Sequence, residues 1–126
     1  MTIEATLTAL INPLVANRVW WDTMPDGYVI AVNAPVVIAS QMGGDDSWHV
    51  DGSQPSHKHA RIQLVVWART RKEANTVARQ IEATISAAAE AGTVVAQPYS
   101  AFTGMYETDL KLYGNQQQFG FWYPSP

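Results

Sequence analysis

An alternating apolar segment that runs directly into a capped helix constrains the fold more than any other feature. Between residues 58 and 68 apolar side chains fall at every second position, which is the period of a β-strand with one buried face. Thr70 and Glu73 then form the T-x-x-E capping box, and apolar residues follow at helical spacing until Gly92. The sequence therefore predicts a strand over 58–68 and a helix over 71–91, whose alanine-rich stripe can approach a sheet closely.

Weaker patterns on both sides complete the predicted architecture. Apolar residues three and four apart predict a helix over 2–17, which Pro13 either kinks or restarts with Asn12 as its cap. A turn at Pro98 and another at Gly114 and Asn115 separate the later elements. Strands are predicted at 19–21, 36–42, 93–96, 105–112 and 116–123. This order predicts an α+β fold, an antiparallel sheet with two main helices packed on one face.

The 126 residues give room for a single domain, 1–126, without internal repeats or linkers. Residues 43–57 are rich in Gly, Asp, Ser and Pro, and they predict a long loop or the tip of a hairpin. A structureless connection of this length is uncommon in a compact domain unless it has a function. Residues 124–126 are expected to be a loose tail.

Composition excludes several classes of function. The formal net charge is -3, so no overall basic field exists to hold nucleic acid. The absence of cysteine excludes disulfides, thiolate nucleophiles and cysteine zinc sites. No apolar run reaches the roughly 18 residues of a membrane span, and no signal-peptide pattern opens the sequence, so we expect neither insertion nor export. Charged residues make up only 15%, which predicts that part of the surface faces other protein.

Catalytic and metal-binding patterns are weak. His49 with Asp51, and His57 with His59, each place two potential ligands on one side of an extended segment, but surface histidines at this spacing are usually solvated. The acidic residues of the same loop lack the alternating oxygen ligands and the final glutamate of an EF-hand. Nucleotide-binding and nucleophile-elbow motifs are missing from the sequence. We expect no catalytic residues, no metal and no cofactor.

Aromatic and charged residues point instead to protein contacts. Five tryptophans exceed what one small core comfortably buries, so some are predicted to anchor a partner. Three basic residues cluster where the long helix begins, and three acidic residues lie in the 43–57 loop. Packed head to tail, the acidic loop of one subunit could reach the basic helix start of the next. The predicted subunit or partner interface consists of Asp45, Asp46, Trp48, Asp51, Trp67, Arg69, Arg71 and Lys72.

The segment RIQLVVWARTRKEANTVARQIEATI, from Arg61 to Ile85, resembles the strand–helix core of the phage tail completion or tail terminator family, which is related to the siphophage head–tail joining proteins. Its W-A-x-T-R-x-E-A step, from Trp67 to Ala74, is the most distinctive match. The N-terminal L-x-x-L-I-x-P-L pattern and the closing aromatic strand at Phe121 are also similar to that family.

The resemblance implies a structural virion protein of the tail or neck, assembled in the bacterial host cytoplasm. It implies a homo-hexameric ring that caps the tail tube, stops its polymerisation and joins it to the head connector, with DNA only as cargo passing through. The expected partners are therefore other copies of the chain, the tail tube protein and the head–tail connector protein. Two alternatives stay open: a small non-catalytic binding or adaptor domain that forms a homo-oligomer, and a small enzyme that uses His57 and His59.

Overall fold

The part of the chain that the computed structural model describes is 2–23, 35–43, 57–99, 103–108 and 111–124. In chain order these residues form α1 (Ile3–Ile11), a 3-10 turn (Asn12–Leu14), β1 (Val19–Trp21), β2 (Val36–Gln41), β3 (His57–Ala68), α2 (Arg71–Glu90), β4 (Val95–Pro98), β5 (Thr103–Glu107) and β6 (Leu112–Pro124).

The six strands form one mixed sheet in the order β1-β2-β3-β6-β4, with β5 on the same side of β6 as β4. All pairs are antiparallel except β1 and β2, which run parallel. Parallel neighbours need a crossover of about a dozen residues or more, and residues 22–35 supply one. The predicted α+β class is confirmed, and the sheet is mixed rather than wholly antiparallel.

The centre of the sheet is the long pairing of β3 with β6. It runs without interruption from His57 opposite Pro124 to Ala68 opposite Tyr113. The strand predicted over 58–68 is therefore confirmed. The strand predicted over 116–123 is also confirmed, although β6 begins four residues earlier, at Leu112.

One buried cluster joins both helices to the sheet. It contains the even-numbered residues of β3 from Ala60 to Val66 together with Phe119 and Phe121 of β6. The helices contribute Ile3, Leu7 and Ile11 from α1, and Val77, Ala78, Ile81 and Ile85 from α2. The burial predicted for Ile81 and Ile85 is confirmed, since both are at most 2% exposed.

Local chemistry sets the helix ends. The hydroxyl of Thr2 accepts a hydrogen bond from the Ala5 N–H at 3.1 Å, and that of Thr70 accepts one from the Glu73 N–H at 3.1 Å. Pro13 lies in the 3-10 turn, so the chain begins a new turn there, as in the second of the two predicted arrangements. The predicted cap is wrong, because Ile11 holds the N-cap position and Asn12 lies inside the turn with its side-chain oxygen unpaired. Gly92 follows α2 with a φ of 81°, which supplies the predicted stop.

Two predicted turns are wrong. Gly114 and Asn115 lie inside β6, opposite Trp67 and Val66 of β3, and the chain reverses between β5 and β6 at residues 108–111 instead. Asn115 is buried there and donates through its Nδ2 to Oδ1 of Asn75 at 2.7 Å, so it serves packing rather than a turn. Pro98 ends the edge strand β4, but the chain does not reverse there, because β4 and β5 both run antiparallel to β6 and follow one another along it.

The predicted loop 43–57 and tail 124–126 lie outside the described residues except at their ends. Both stay predictions, as does the assignment of the whole chain to one domain.

Candidate subunit interface

Half of the predicted interface residues lie outside the described part of the chain, namely Asp45, Asp46, Trp48 and Asp51. The other four occupy the junction between β3 and α2. Trp67 is the second-last residue of β3, and Arg69, Arg71 and Lys72 follow it within five positions. The structure thus brings together one half of the predicted set.

Trp67 is half-buried on the sheet face opposite the main cluster. Its indole lies against Gly114, where an added methyl group would come within 2.8 Å of the ring. With Trp20 it packs against a second small cluster formed by Val36 and Leu112. Trp67 therefore packs against residues of its own subunit, and a role as a partner anchor stays a prediction.

Arg71 is exposed but held in place by aromatic side chains. Its guanidinium carbon lies 5.5 Å from the centroid of the Tyr113 ring, and the Tyr113 ring lies 4.8 Å from that of Tyr106. The guanidinium also occupies the space that a side chain at Gly104 would need. This packing fixes a positive charge at the corner where α2 meets β5.

Arg69 and Lys72 are also exposed, and they extend the positive surface around the first turn of α2. Because cations at a helix N-terminus oppose the helix dipole, the cluster is locally unfavourable. A partner that supplies carboxylates would remove this conflict. The β3–α2 junction is therefore an exposed, positively charged surface, which Glu73 in the same first turn offsets in part.

A second surface lies at the other end of β3 and was not predicted as a site. Trp122 of β6 and Val95 of β4 are directly paired, and they are 43% and 60% exposed. The pairing of β4 with β6 creates this apolar patch. The sequence could show only that Trp122 lies on the face away from Phe121, because the neighbour Val95 is far away along the chain.

Beside that patch, His59 is buried against aromatic side chains. Its Nε2 lies 3.0 Å from the hydroxyl of Tyr99, and its ring centroid is 4.7 Å from that of Trp122. The guanidinium carbon of Arg61 lies 4.3 Å from the centroid of the Tyr99 ring. Gly120 leaves the space in which His59 and Tyr99 meet. His59 therefore takes part in a packed aromatic cluster, and the described residues contain no group of three potential metal ligands.

A groove of about 480 Å³ runs on the opposite face of β4, between that strand and α2. Its helix wall consists of small side chains, Ala83, Ser86 and Ala89, and Phe119 lies at its base. Arg79 adds a positive charge to the lining of the groove, and Glu82 adds a negative one. Strand β4 is thus bordered by accessible apolar surface on both faces of the sheet.

The sequence matches the family described as tail completion protein gp17 over residues 3–124. This chain belongs to that family. The tail completion family comprises structural proteins of the phage tail and is not known for enzymatic activity, so the chain has a structural role in the virion tail. No curated protein matches the chain. In the described part of this tail completion protein, none of the helices is long and apolar enough to cross a membrane.

Proposed function

We propose that this tail completion protein is a tail terminator of a siphophage. Six copies form a ring at the neck of the virion, cap the tail tube and join it to the head connector protein. DNA passes through the ring as cargo. Assembly takes place in the cytoplasm of the bacterial host.

The family match over residues 3–124 carries the proposal, and the order of two opposite charge clusters along the chain supports a contact between neighbouring copies. The acidic segment enters β3 through His57, whereas the basic residues follow Ala68 at the other end. Twelve residues of strand at about 3.3 Å per residue place these two ends about 36 Å apart. The acidic segment therefore joins β3 at the end opposite the basic cluster.

Chain length limits how far the acidic residues can reach within their own subunit. The carbonyl of Gly43 accepts a hydrogen bond from the Arg61 N–H at 2.7 Å, which ties the start of the segment to the middle of β3. Asp45 and Asp46 follow Gly43 by two and three residues, a span of at most about 11 Å. Arg69 follows Arg61 by eight positions, about 26 Å along the strand direction. Chain length thus argues against pairing of Asp45 and Asp46 with Arg69 of the same copy, and we propose that they pair with the basic cluster of a neighbour.

This contact joins two different surfaces, and repeated around an axis it closes a ring. Exposed ion pairs at its rim contribute only about 0 to 1 kcal/mol each, so they steer association more than they hold the ring together. The proposed interface comprises Asp45, Asp46, Trp48 and Asp51 on one subunit and Trp67, Arg69, Arg71 and Lys72 on the next. The tryptophans supply the apolar part of the contact.

Native mass spectrometry of the purified protein tests the ring. We expect the mass of six chains at low ionic strength. A protein that remains a monomer or a dimer at every concentration would favour a small adaptor domain and contradict the ring.

Electron microscopy of phage that lack the protein tests its place in the virion. We expect filled heads without tails, together with free tails of irregular length, and restoration of joined particles when the protein is supplied from a plasmid. Normal joined particles in its absence would contradict a role in tail termination.

A further inference from the structure

Strand β4 forms an open edge of the sheet in the described part of the chain. The N–H of Tyr99 donates to the carbonyl of Gln118 at 2.9 Å, so the backbone of Tyr99 faces β6. Backbone directions alternate along a strand, so Gln97 and Val95 also face β6. Ala96 and Pro98 direct their backbone groups away from the sheet. The edge therefore offers the N–H and C=O of Ala96 and the C=O of Pro98.

Strand β1 forms the opposite edge of the same sheet. The N–H of Val37 donates to the carbonyl of Arg18 at 3.0 Å, and the N–H of Asp22 donates to that of Ala39 at 2.8 Å. By the same alternation, Val19 and Trp21 direct their backbone groups away from β2, and no described strand pairs with that side. The carbonyl of Trp21 already accepts a hydrogen bond from the Thr23 N–H at 2.8 Å, so the groups that this edge presents are those of Val19 and the N–H of Trp21.

The two edges have compatible directions. Strand β2 runs parallel to β1, and each further step to β3, β6 and β4 reverses the direction, so β4 runs opposite to β1. A rotation about an axis inclined to the strands keeps these relative directions and offsets neighbouring sheets along the strands. The offset is needed because β1 lies level with Thr103 and Gly104 of its own copy, through the pairing of β2, β3 and β6. With that offset, β1 of a second copy comes next to β4 as an antiparallel neighbour.

We infer that β4 of one subunit pairs with β1 of the next, so that the sheets continue from copy to copy around the ring. The inference rests on the proposed ring and names its backbone contact. Pro98 lacks an N–H, which confines the pairing to a short stretch centred on Ala96. A partner strand of three residues, the length of β1, fits this limit.

The surfaces beside β4 fit the same occupant. Val19 and Trp21 pack with α1 in the main cluster, on the face where Val37 meets Val66. Continuing the sheet places the neighbour's α1 beside the groove between α2 and β4. On the other face, the neighbour's Trp20 comes next to the exposed Val95. The partner thus covers both apolar borders of β4.

Cross-linking identifies the edge contact directly, because the native chain contains no cysteine. Thr23 and Thr93 are both exposed, and Thr23→Cys and Thr93→Cys introduce one thiol at each edge. If Ala96 lies opposite Trp21 or Val19, Thr23 of the neighbour falls opposite residue 94 or 92, so the two thiols are adjacent in either register.

We expect the double variant, treated with a short bismaleimide, to give a ladder of covalent multimers up to the full ring. Each single variant should stay monomeric on a denaturing gel. A covalent dimer from Thr93→Cys alone would show β4 against its own copy and overturn the inference. A wild-type ring in native mass spectrometry without a ladder from the double variant would overturn the edge pairing and leave the ring intact. A monomeric wild type would overturn both.

A second measurement removes the edge hydrogen bond. Ala96→Pro deletes the outward N–H, and Ala96→Ser keeps it, so the pair differs mainly in that donor. We expect Ala96→Pro to raise the protein concentration needed for half-assembly by about tenfold per contact, with the melting curve of the isolated subunit retained. Equal assembly of the two variants would contradict the inference. If Ala96→Pro does not fold, the cross-linking result decides.

Discussion

The indole of Trp67 lies flat against the backbone of Gly114, its direct partner on β6, with room for no side chain between them. A methyl group at residue 114 would approach Cζ3 of the indole to 2.8 Å. Glycine is required here because an aromatic ring from the neighbouring strand occupies the space above it. This pairing lies at the end of β3 and the start of β6, close to the first turn of α2.

Gly114→Ala should destabilise the subunit by about 1 to 3 kcal/mol, because the methyl group overpacks the contact with Trp67. Urea denaturation of the subunit measures the loss. In a Trp67→Leu background the smaller side chain leaves room for the methyl group. The same substitution should then lower the free energy of unfolding by clearly less. An equal penalty in both backgrounds would show that backbone conformation, rather than the indole, excludes alanine.

The position of Gly114 also shows what the sequence could and could not predict. The strand over 58–68 and the helix from Arg71 were predictable because their signals are local: alternation, a capping box and a stop at Gly92. Gly114 and Asn115 are residue types typical of turns, yet a distant residue explains each of them. The Trp67 indole leaves no space for a side chain at residue 114, and Asn75 accepts a hydrogen bond from Asn115. No short-range pattern records such a partner.

The same distinction applies to the candidate surfaces. The basic cluster at the start of α2 was predictable since its residues are neighbours in the chain. The patch of Val95 and Trp122 was not, because strand pairing brings it together across 27 residues. The parallel pairing of β1 with β2 was not predicted for a related reason. The sequence of a connecting segment does not indicate the direction of the strand that follows it.

Ile81→Ala should lower the free energy of unfolding by about 2 to 5 kcal/mol, since Ile81 is fully buried between α2 and the sheet. Gln80→Ala provides the matched control on the same turn. Gln80 is exposed, so its loss should change stability by no more than about 0.5 kcal/mol. Similar losses for the two variants would mean that α2 presents a different face to the sheet.

Gln117→Met should leave stability unchanged within about 1 kcal/mol or increase it. Gln117 is 1% exposed, and its Oε1 is buried without a hydrogen-bond partner, although its Nε2 donates to the Ala78 carbonyl at 3.2 Å. Methionine keeps the volume and removes the unpaired oxygen. Thermal unfolding compares the two proteins, and a loss of more than about 2 kcal/mol would show that the amide bond outweighs the buried oxygen.

Val95→Asp should weaken assembly with little effect on the isolated subunit. Because the Val95 side chain is 60% exposed, its loss should change unfolding by no more than about 0.5 kcal/mol. A charged side chain next to Trp122 should disfavour burial of this apolar patch in a protein contact. Sedimentation velocity measures the assembled fraction, and Gln80→Glu, which is exposed on α2 outside the lining of the groove, is the control for added charge. Equal assembly of the two variants would argue against burial of Val95 in the ring.

Charge reversal at the start of α2 should slow ring formation at low salt. Arg69→Glu with Lys72→Glu replaces two exposed cations and spares Arg71, which packs on Tyr113. Adding Asp45→Lys and Asp46→Lys should restore part of the rate, because the two clusters then attract each other again. Light scattering after dilution from high salt follows assembly.

The slowed rate should disappear as salt is raised, since exposed charges are screened beyond about 10 Å at 0.1 M. The steering hypothesis fails if the reversed protein assembles at the wild-type rate in low salt, or if the compensating lysines bring no recovery. The ring would then depend on its apolar contacts and backbone edges.

The pairing of β3 with β6 affects how the protein folds during its synthesis. The two central strands are separated by α2, β4 and β5, and His57 finds its partner only at Pro124. On the ribosome, every residue up to β5 is synthesised before β6. Until β6 emerges, β3 can pair only with β2. Non-local strand pairing is slow to form, and a nascent chain with an unpaired central strand is prone to stick to others. The edge that β4 forms on β6 is therefore completed last, whereas β1 can pair with β2, and β2 with β3, before β6 is synthesised.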